Sequence, residues 1–278
     1  MSEITYKRKG RIAYICLSMR YQGNAFTQST RKSLNDALHK YKQDEEAWMA
    51  VVHADGHDFC TGSSLSELPT PDEKRENRLF WAGGYVEIWK PVIAAIQGQC
   101  KGEGLDLALG CDLRIAEEGA TFEPNFEDLG DNPNISAIWL INQIGISATF
   151  ELLWFNRKLD ARYAAKLGLV NRIVTKGGSK SRSESAEPQG RLPMEPLKQE
   201  IQTPQGDVLT AATMLAEELL LYAPVTRTFQ KETAYRCIGV PFSYAQLLEV
   251  GPNPYASQDR IEGNRAFVER RRPVWSNL

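Results

Sequence analysis

The sequence predicts an α/β protein, because short apolar strands alternate with segments of helical periodicity. Residues 4–19 are predicted to form two strands around Gly10, and residues 48–54 a third strand. Between them, residues 27–42 carry apolar side chains at helical spacing, and Thr27 is placed to cap that helix. A strand, a helix and a strand in this order predict a βαβ unit, whose strands are parallel and whose crossover is right-handed.

Composition indicates a globular protein with a large core. The chain has 278 residues, of which 42% are hydrophobic and 24% are charged, as is typical of one domain or of one domain with a small appendage. The net charge of -2 argues against a nucleic-acid partner. The polar N-terminus lacks a signal-peptide pattern, and no apolar run is long enough to cross a bilayer. We therefore expect a cytoplasmic protein with neither nucleic acid nor membrane as a partner.

The cysteines and histidines give no sign of a metal site. Five cysteines are spread along the chain without a CxxC spacing, and the chain has three histidines. This pattern is typical of a reduced protein. We expect no bound metal, and we interpret Cys60 as a small core residue rather than as a nucleophile.

The second half of the chain is predicted to be mainly helical. Helices are expected in the second half of 65–89 and over 137–144, 147–155, 160–169, 208–222, 224–238, 242–250 and 259–271, with a strand at 171–175. Residues 176–206 are poor in apolar side chains, which predicts an exposed insertion. A solvated loop is favoured there over a partner-binding segment. The predicted division is a core, residues 1–206, followed by a C-terminal helical region, residues 207–278.

Two glycine-rich turns, each at the end of an apolar strand, predict a site for an electron-rich oxygen. The first is DGHDFCTGSSL at residues 55–65, and the second is KGEG at residues 101–104, between the strand at 92–96 and an apolar helix. The first N–H groups of a helix have no partner inside it, and glycine lets the backbone approach a ligand closely. Either turn alone is equally typical of packing. The pair favours a site, because two backbone donors can be aimed at one carbonyl.

Four blocks of the sequence resemble the crotonase superfamily, the enoyl-CoA hydratase/isomerase fold. They are HDFCTGSSLSEL, KPVIAAIQGQCKGEGLDLALGCDLRIAEEGATF, DARYAAKLGLVNRIV and DRIEGNRAFVERRRPVW, in family order and across nearly the whole chain. The resemblance implies a spiral of ββα units and a C-terminal helical region that packs over the active site and builds trimers. It also implies an acyl-CoA substrate, a homotrimer or a dimer of trimers, and no cofactor beyond the coenzyme A of the substrate.

The resemblance assigns the family's oxyanion hole to the backbone N–H groups of Ser63 and Glu103. Most members of the family have glycine where Glu103 stands. A carboxylate beside the thioester repels the developing negative charge unless its side chain points away or serves as a base. Loss of one such donor typically costs about 3 kcal/mol of transition-state stabilisation, so the direction of this side chain matters.

The two catalytic glutamates of the family's hydratases fall on Asp106 and Phe126. Asp106 keeps an acid, as the dienoyl-CoA isomerases also do, and is the first candidate for proton transfer; the alternative is a charge that only stabilises the helix start. Phe126 cannot move a proton, which argues against a mechanism with two carboxylates. We expect Phe126 to form an apolar wall of the substrate pocket.

Further acid/base candidates lie near both turns. Glu123, Glu127, Asp128 and Asp131 flank Phe126. Glu127 is adjacent to it, and Asp131 lies near the position of a second catalytic Asp in the family's isomerases. His57 directly precedes the first turn, and His53 is the other histidine considered. For the acids a solvated loop carboxylate is favoured, and for the histidines a surface or packed side chain.

Basic residues near the nucleotide of coenzyme A are expected from the resemblance. The candidates are Lys101, Arg270 and Arg271, although exposed basic residues that bind phosphate have little sequence signature.

Three functions remain open from the sequence. The first is a hydratase, dehydratase or isomerase of an unsaturated acyl-CoA that stabilises an enolate. The second is hydrolysis or C–C bond cleavage of a β-dicarbonyl or cyclic acyl substrate, with Phe126 as a pocket wall. The third is a catalytically idle crotonase-like protein that binds CoA esters or partners.

Overall fold

The strands assemble into a large, mostly parallel sheet and a small one. A computed structural model describes residues 3–64, 88–124, 134–176, 200–203, 207–248, 250–251 and 253–278. Within these ranges the large sheet has the order β1 (Ile4–Lys9), β2 (Ile12–Leu17), β3 (Met49–Ala54), β4 (Val92–Ile96), β6 (Leu113–Glu117), β9 (Arg172–Lys176) and β10 (Glu200–Thr203). The small sheet has the order β5 (Gln99–Lys101), β7 (Thr121–Glu123) and β8 (Leu159–Asp160). In the large sheet, β1 and β2 are antiparallel and all later neighbours are parallel.

Nine α-helices lie in the described ranges. They are α1 (Gln28–Gln43), α2 (Glu103–Gly110), α3 (Asn134–Ile144), α4 (Ile146–Trp154), α5 (Ala161–Lys166), α6 (Val208–Leu219), α7 (Pro224–Cys237), α8 (Phe242–Ala245) and α9 (Gln258–Glu269). No single helix among them is long and apolar enough to cross a bilayer; α6 and α7 reach that length only together, bent by 105°.

The predicted βαβ unit is confirmed. Strands β2 and β3 pair in parallel, and α1 connects them. Thr27 caps α1, since its hydroxyl accepts a hydrogen bond from the backbone N–H of Thr30, whose own hydroxyl accepts from the N–H of Thr27. Leu34, Leu38 and Tyr41 of α1 are buried on one face of the helix, as their spacing predicts.

Both faces of the large sheet are covered, which explains why its central strands are apolar at almost every position. Side chains of a strand alternate between faces, so Val52 and Ala94 lie on one face and Val51 and Ile93 on the other. Val52 and Ala94 belong to a core that includes α1 and α2. Val51 and Ile93 pack with the buried side of α6. We refer to these as the α2 face and the α6 face of the sheet.

The interpretation of residues 176–206 as an exposed insertion is wrong at two places. Lys176 ends β9, and Glu200–Thr203 forms β10, which pairs in parallel with β9 at the edge of the large sheet. Backbone pairing with β9 supplies the hydrogen bonds of this four-residue strand, whereas composition averaged over a long polar segment conceals it. The remainder of the predicted insertion lies outside the described residues.

Other element predictions differ in detail. The helix expected over 242–250 is limited to α8, because beyond Gln246 the turn tightens to i→i−3 hydrogen bonds, from Leu247 to Tyr244 and from Leu248 to Ala245. The short strands β5, β7 and β8 were not predicted. The helix expected in the second half of 65–89 lies outside the described residues apart from its last two positions.

Candidate active site

The two glycine-rich turns lie side by side because β5 pairs with the segment that leads into the first turn. The N–H of Cys60 donates to the carbonyl of Gln99 at 3.0 Å, and the N–H of Lys101 donates to the carbonyl of Cys60 at 2.9 Å. On its other side, β5 pairs with β7. This pairing leaves Gly62 and Gly102 adjacent: a Cβ atom added to Gly102 would lie 3.5 Å from Cα of Gly62. The predicted proximity of the two turns is thus present in the structure.

Glycine is required at three positions of these turns for two different reasons. Gly62 and Gly102 have φ angles of +98° and +50°, which side chains other than glycine rarely adopt. Gly104, in the first turn of α2, faces Cys60 so closely that an added Cβ would lie 2.6 Å from Cβ of Cys60. The start of α2 is therefore seated directly against the chain that leads into the first turn.

The backbone N–H groups of Ser63 and Glu103, predicted as oxyanion-hole donors, each follow one of these glycines. The two neighbours of Ser63 are both hydrogen-bonded to Phe26. The N–H of Phe26 donates to the carbonyl of Gly62, and the N–H of Ser64 donates to the carbonyl of Phe26. Glu103 is the first residue of α2. Neither N–H donates to an acceptor within the part of the chain that the structure describes. Both are placed to serve a ligand oxygen.

The Glu103 side chain is held by Arg31 of α1. Nε of Arg31 lies 3.0 Å from each carboxylate oxygen of Glu103, and a terminal guanidinium nitrogen lies 2.9 Å from Oε2. Both side chains are only 12% exposed. Bidentate pairing fixes the carboxylate in one orientation and compensates its charge. The carboxylate is thus directed toward α1, which is the first of the two arrangements considered for Glu103 from the sequence.

Asp106 lies in the first turn of α2 and is buried, with 6% of the residue exposed. The hydroxyl of Ser136 in α3 donates a short hydrogen bond to its Oδ1. Ser136 is itself fully buried. The hydrogen bond orients the carboxylate and satisfies one of its lone pairs. Asp106 follows Glu103 by three positions, but its carboxylate contacts α3, whereas that of Glu103 contacts α1.

Neither Arg31 nor Ser136 was predicted as a site residue. The sequence marks Ser136 only weakly, as the one hydroxyl residue in the apolar helix NISAIWLINQI. It does not mark Arg31, which is one of several charged residues on an amphipathic helix far from Glu103 in sequence.

Several predicted site residues cannot be placed. Phe126, Glu127, Asp128 and Asp131 lie outside the described residues. The neighbouring acid Glu123 lies in β7, and its carboxylate is 3.4 Å from Nζ of Lys101. Its carbonyl accepts the N–H of Gly102 at 3.0 Å. The assignment of Lys101 to coenzyme A remains a prediction, and its ammonium group already has one carboxylate partner.

The histidines and Cys60 differ in environment. The side chain of His57 is 86% exposed, and its Nδ1 lies 2.9 Å from Oδ1 of Asp58. His53 lies on the α6 face, the face opposite Cys60, where burial lowers its pKa. Cys60 is fully buried in the core, as expected, and this burial raises the pKa of its thiol. A role for His57 in catalysis stays a prediction.

Arg270 and Arg271 follow α9. Arg270 caps the helix in the left-handed conformation, with φ of +54°. The guanidinium of Arg271 is hydrogen-bonded to Glu262 and Glu269. These hydrogen bonds raise the pKa of Arg271, and they lower the pKa of Glu262 to about 2. The assignment of both arginines to coenzyme A stays a prediction.

The chain belongs to the enoyl-CoA hydratase/isomerase family, whose sequence model matches residues 7–187. The chain is 28% identical, over 98% of its length and 90% of the relative, to "Probable enoyl-CoA hydratase, mitochondrial" of Dictyostelium discoideum. It is 30% identical to "Probable enoyl-CoA hydratase 2, mitochondrial" of Arabidopsis thaliana, over 91% of this chain and 77% of the relative. It is 26% identical to the carnitinyl-CoA dehydratase of Salmonella enteritidis, over 96% of each chain.

Solved structures confirm the crotonase fold. The enoyl-CoA hydratase of Bacillus anthracis superposes with a TM-score of 0.81 over 100% of both chains at 22% identity. That of Mycobacterium tuberculosis gives 0.79 over 99% of both chains at 24% identity. The expected cytoplasmic location stays a prediction, because two of the relatives above are named as mitochondrial.

Proposed function

We propose that this protein is a hydratase, dehydratase or isomerase of an unsaturated acyl-CoA, and that it stabilises the enolate of the thioester. The observation that carries the proposal is that Gly62 and Gly102 are adjacent and that the N–H group following each of them, of Ser63 and of Glu103, has no acceptor in the described chain. Two such backbone donors, fixed in position before the reaction, stabilise a developing oxyanion. The relatives, which are named as enoyl-CoA hydratases and a carnitinyl-CoA dehydratase, point to the same substrate class.

Asp106 is the proposed proton-transfer group. With the thioester oxygen bound, removal of the α-proton moves an electron pair onto that oxygen, and Asp106 takes the proton. In an isomerase, Asp106 returns that proton to another carbon of the acyl chain. In a hydratase, Asp106 takes a proton from the attacking water and gives one to the α-carbon, so that H and OH are added across the double bond. Its burial and its hydrogen bond from Ser136 hold the carboxylate in one orientation.

The experiment is a turnover assay of wild type and Asp106→Asn on a panel of enoyl-, hydroxyacyl- and β-dicarbonyl-CoA thioesters. We expect wild type to hydrate, dehydrate or isomerise at least one enoyl or hydroxyacyl thioester. Because general acid/base catalysis contributes roughly 10²- to 10⁴-fold, we expect Asp106→Asn to lose about that much in kcat while retaining its substrate. Equal rates for the two proteins contradict the role of Asp106.

The same panel separates the alternatives. Turnover of β-dicarbonyl thioesters alone favours hydrolysis or C–C cleavage, for which Phe126 in place of an acid is the sequence observation. A rise in melting temperature with acyl-CoA but no turnover favours a catalytically idle binding protein, since a ligand that binds only the native state stabilises it.

We also propose a homotrimer or a dimer of trimers. Large apolar side chains are exposed in the C-terminal region, among them Phe242 at 79%, Leu247 at 78% and Val268 at 79%. Exposed apolar groups in such numbers are typical of an interface. The mass in solution, measured by sedimentation, tests the assembly.

A further inference from the structure

Three side chains with metal-binding chemistry meet at the carboxyl ends of β2 and β3. Cys16 and His53 are direct neighbours in the parallel pairing of these strands. Asp55 follows His53 by two positions, so it projects to the same side. That side is the α6 face, with Met49 and Val51, and it is opposite the face that carries Cys60 and the glycine-rich turns. The cluster is therefore separate from the proposed thioester site.

The donor atoms of the three side chains are close together. The sulfur of Cys16, a ring nitrogen of His53 and a carboxylate oxygen of Asp55 all lie within 4.8 Å of one another. Ser18 connects two of them, since its hydroxyl lies 3.3 Å from the sulfur of Cys16 and donates to Oδ2 of Asp55 at 3.1 Å. A tetrahedral zinc ion with bonds of about 2.0–2.3 Å holds its ligands roughly 3.3–3.7 Å apart. Side-chain shifts of about 1 Å thus bring the donors to bonding distance.

His53 is the member of the cluster whose ring makes no hydrogen bond within the described ranges. Its ring is partly buried and stands edge-on to Tyr14, with centroids 6.3 Å apart. One ring nitrogen lies within 4.8 Å of the Cys16 sulfur and of an Asp55 carboxylate oxygen, so a shared ion would give the ring a polar partner.

We propose that Cys16, His53 and Asp55 bind a divalent transition-metal ion, with Zn²⁺ as the best match and a water molecule as the fourth ligand. Sulfur, imidazole and carboxylate together suit zinc, whereas Mg²⁺ and Ca²⁺ prefer oxygen ligands alone. A thiolate and a carboxylate balance the charge of the ion, and the thiol proton is released to solvent on binding. Asp55 is exposed, so the ion reaches the site from solvent. The expectation of no bound metal rested on the absence of short Cys spacings and on the small number of histidines, whereas strand pairing brings these residues together.

Cobalt(II) is the probe for this site, because a cysteine thiolate bound to it gives a charge-transfer band in the near ultraviolet. Metal-free wild-type protein is titrated with Co²⁺ and then with Zn²⁺, beside Cys16→Ser, His53→Gln and Asp55→Asn. We expect one equivalent of Co²⁺ to produce the band, and Zn²⁺ to remove it. We expect no band in Cys16→Ser. The other two variants are expected to bind at least roughly 10-fold more weakly, the lower end of the effect of removing even an outer-shell partner.

Cys237→Ser and His57→Gln are the matched controls, because both residues are more exposed and lie outside the cluster. They are expected to titrate like wild type. Asp55 is exposed, so Asp55→Asn tests the site even if Cys16→Ser fails to fold. Absence of the band in wild type overturns the proposal. So does wild-type affinity in both His53→Gln and Asp55→Asn.

Discussion

Glu103 shows how an acidic residue is accommodated at a turn that is proposed to attract negative charge. The backbone N–H of Glu103 is available to a ligand, while its carboxylate accepts hydrogen bonds from Arg31 at 2.9–3.0 Å. With both groups only 12% exposed, the pair is screened weakly by solvent. Arg31 is therefore a positioning residue for the proposed oxyanion hole, because it compensates a carboxylate that otherwise opposes an enolate.

Removal of Arg31 is expected to slow the reaction through Glu103. Two like charges about 8 Å apart repel by about 2 kcal/mol at an effective dielectric constant of about 20, which sets the scale of the cost that the uncompensated Glu103 carboxylate imposes on an enolate in Arg31→Met. This corresponds to a decrease in kcat of roughly 30-fold. The double variant Arg31→Met with Glu103→Gln is expected to recover most of the loss, because no charge remains to repel the oxyanion.

Kinetics and thermal unfolding of the single and double variants check this expectation. Glu103→Gln alone is the control, since it removes the carboxylate but keeps the guanidinium. If the double variant is as slow as Arg31→Met, the effect of Arg31 does not pass through the charge of Glu103, and the positioning role is wrong.

At this scale the sequence names candidate residues but not the contacts of their side chains. Asp106 and the two backbone donors were named from the resemblance. The direction of the Glu103 side chain stayed open because Arg31 lies 72 residues away. The hydrogen bond of Asp106 with Ser136 spans 30 residues, so local pattern could not show it. Side-chain pairing across such separations depends on tertiary packing, which periodicity does not encode.

At the scale of elements, the packing of α2 against the first turn determines the geometry of the proposed site. Gly102 caps this helix with φ of +50° and ψ of -121°, a conformation open mainly to glycine. Gly104 allows the helix to approach Cys60, and β5 fixes both turns by pairing on its two sides. The position of the Glu103 N–H therefore depends on backbone packing rather than on the side chain of residue 103.

A methyl group at position 104 is expected to displace α2. In Gly104→Ala the new Cβ meets Cβ and the carbonyl oxygen of Cys60 at 2.6 and 2.8 Å, so the helix must move. Overpacking of this kind costs about 1–3 kcal/mol of unfolding free energy. We expect the fraction of kcat that is lost to exceed the fraction of the unfolding free energy that is lost, because the displaced helix carries both Glu103 and Asp106. Denaturant unfolding and turnover are the measurements.

Gly119→Ala is the matched control, since an added Cβ there meets nothing within 4 Å. It is expected to keep wild-type stability and activity. Wild-type stability and activity of Gly104→Ala would show that the packing of α2 against Cys60 does not determine the geometry of the site.

The elements that the sequence predicted are those with local signals. Strands β2 and β4 are apolar throughout and β3 is apolar apart from His53, and α1 has both periodicity and a capping residue. The strands that were missed, β5, β7, β8 and β10, have two to four residues each. Such short strands depend on backbone pairing with distant segments, and their own composition carries too little information.

On the scale of the whole molecule, the large sheet carries the two proposed sites on opposite faces. The α2 face carries the turns of the proposed thioester site, and the α6 face carries the proposed metal cluster at the ends of β2 and β3. In open parallel sheets, ligands bind outside the carboxyl ends of the strands, where loops leave the sheet. The first proposal is supported by membership of the enoyl-CoA hydratase/isomerase family, while the second depends only on the geometry of Cys16, His53 and Asp55.

The central claim is that the backbone N–H groups of Ser63 and Glu103 bind one thioester oxygen, and the carbonyl stretch of a bound CoA thioester tests it most directly. The measurement is an isotope-edited infrared spectrum of a saturated acyl-CoA with a labelled thioester carbonyl, free and bound to the protein. Two hydrogen bonds from backbone donors that are fixed in position polarise the carbonyl, so the account predicts a shift to lower frequency on binding. A bound thioester whose carbonyl frequency equals or exceeds that of the free thioester in water would contradict the account.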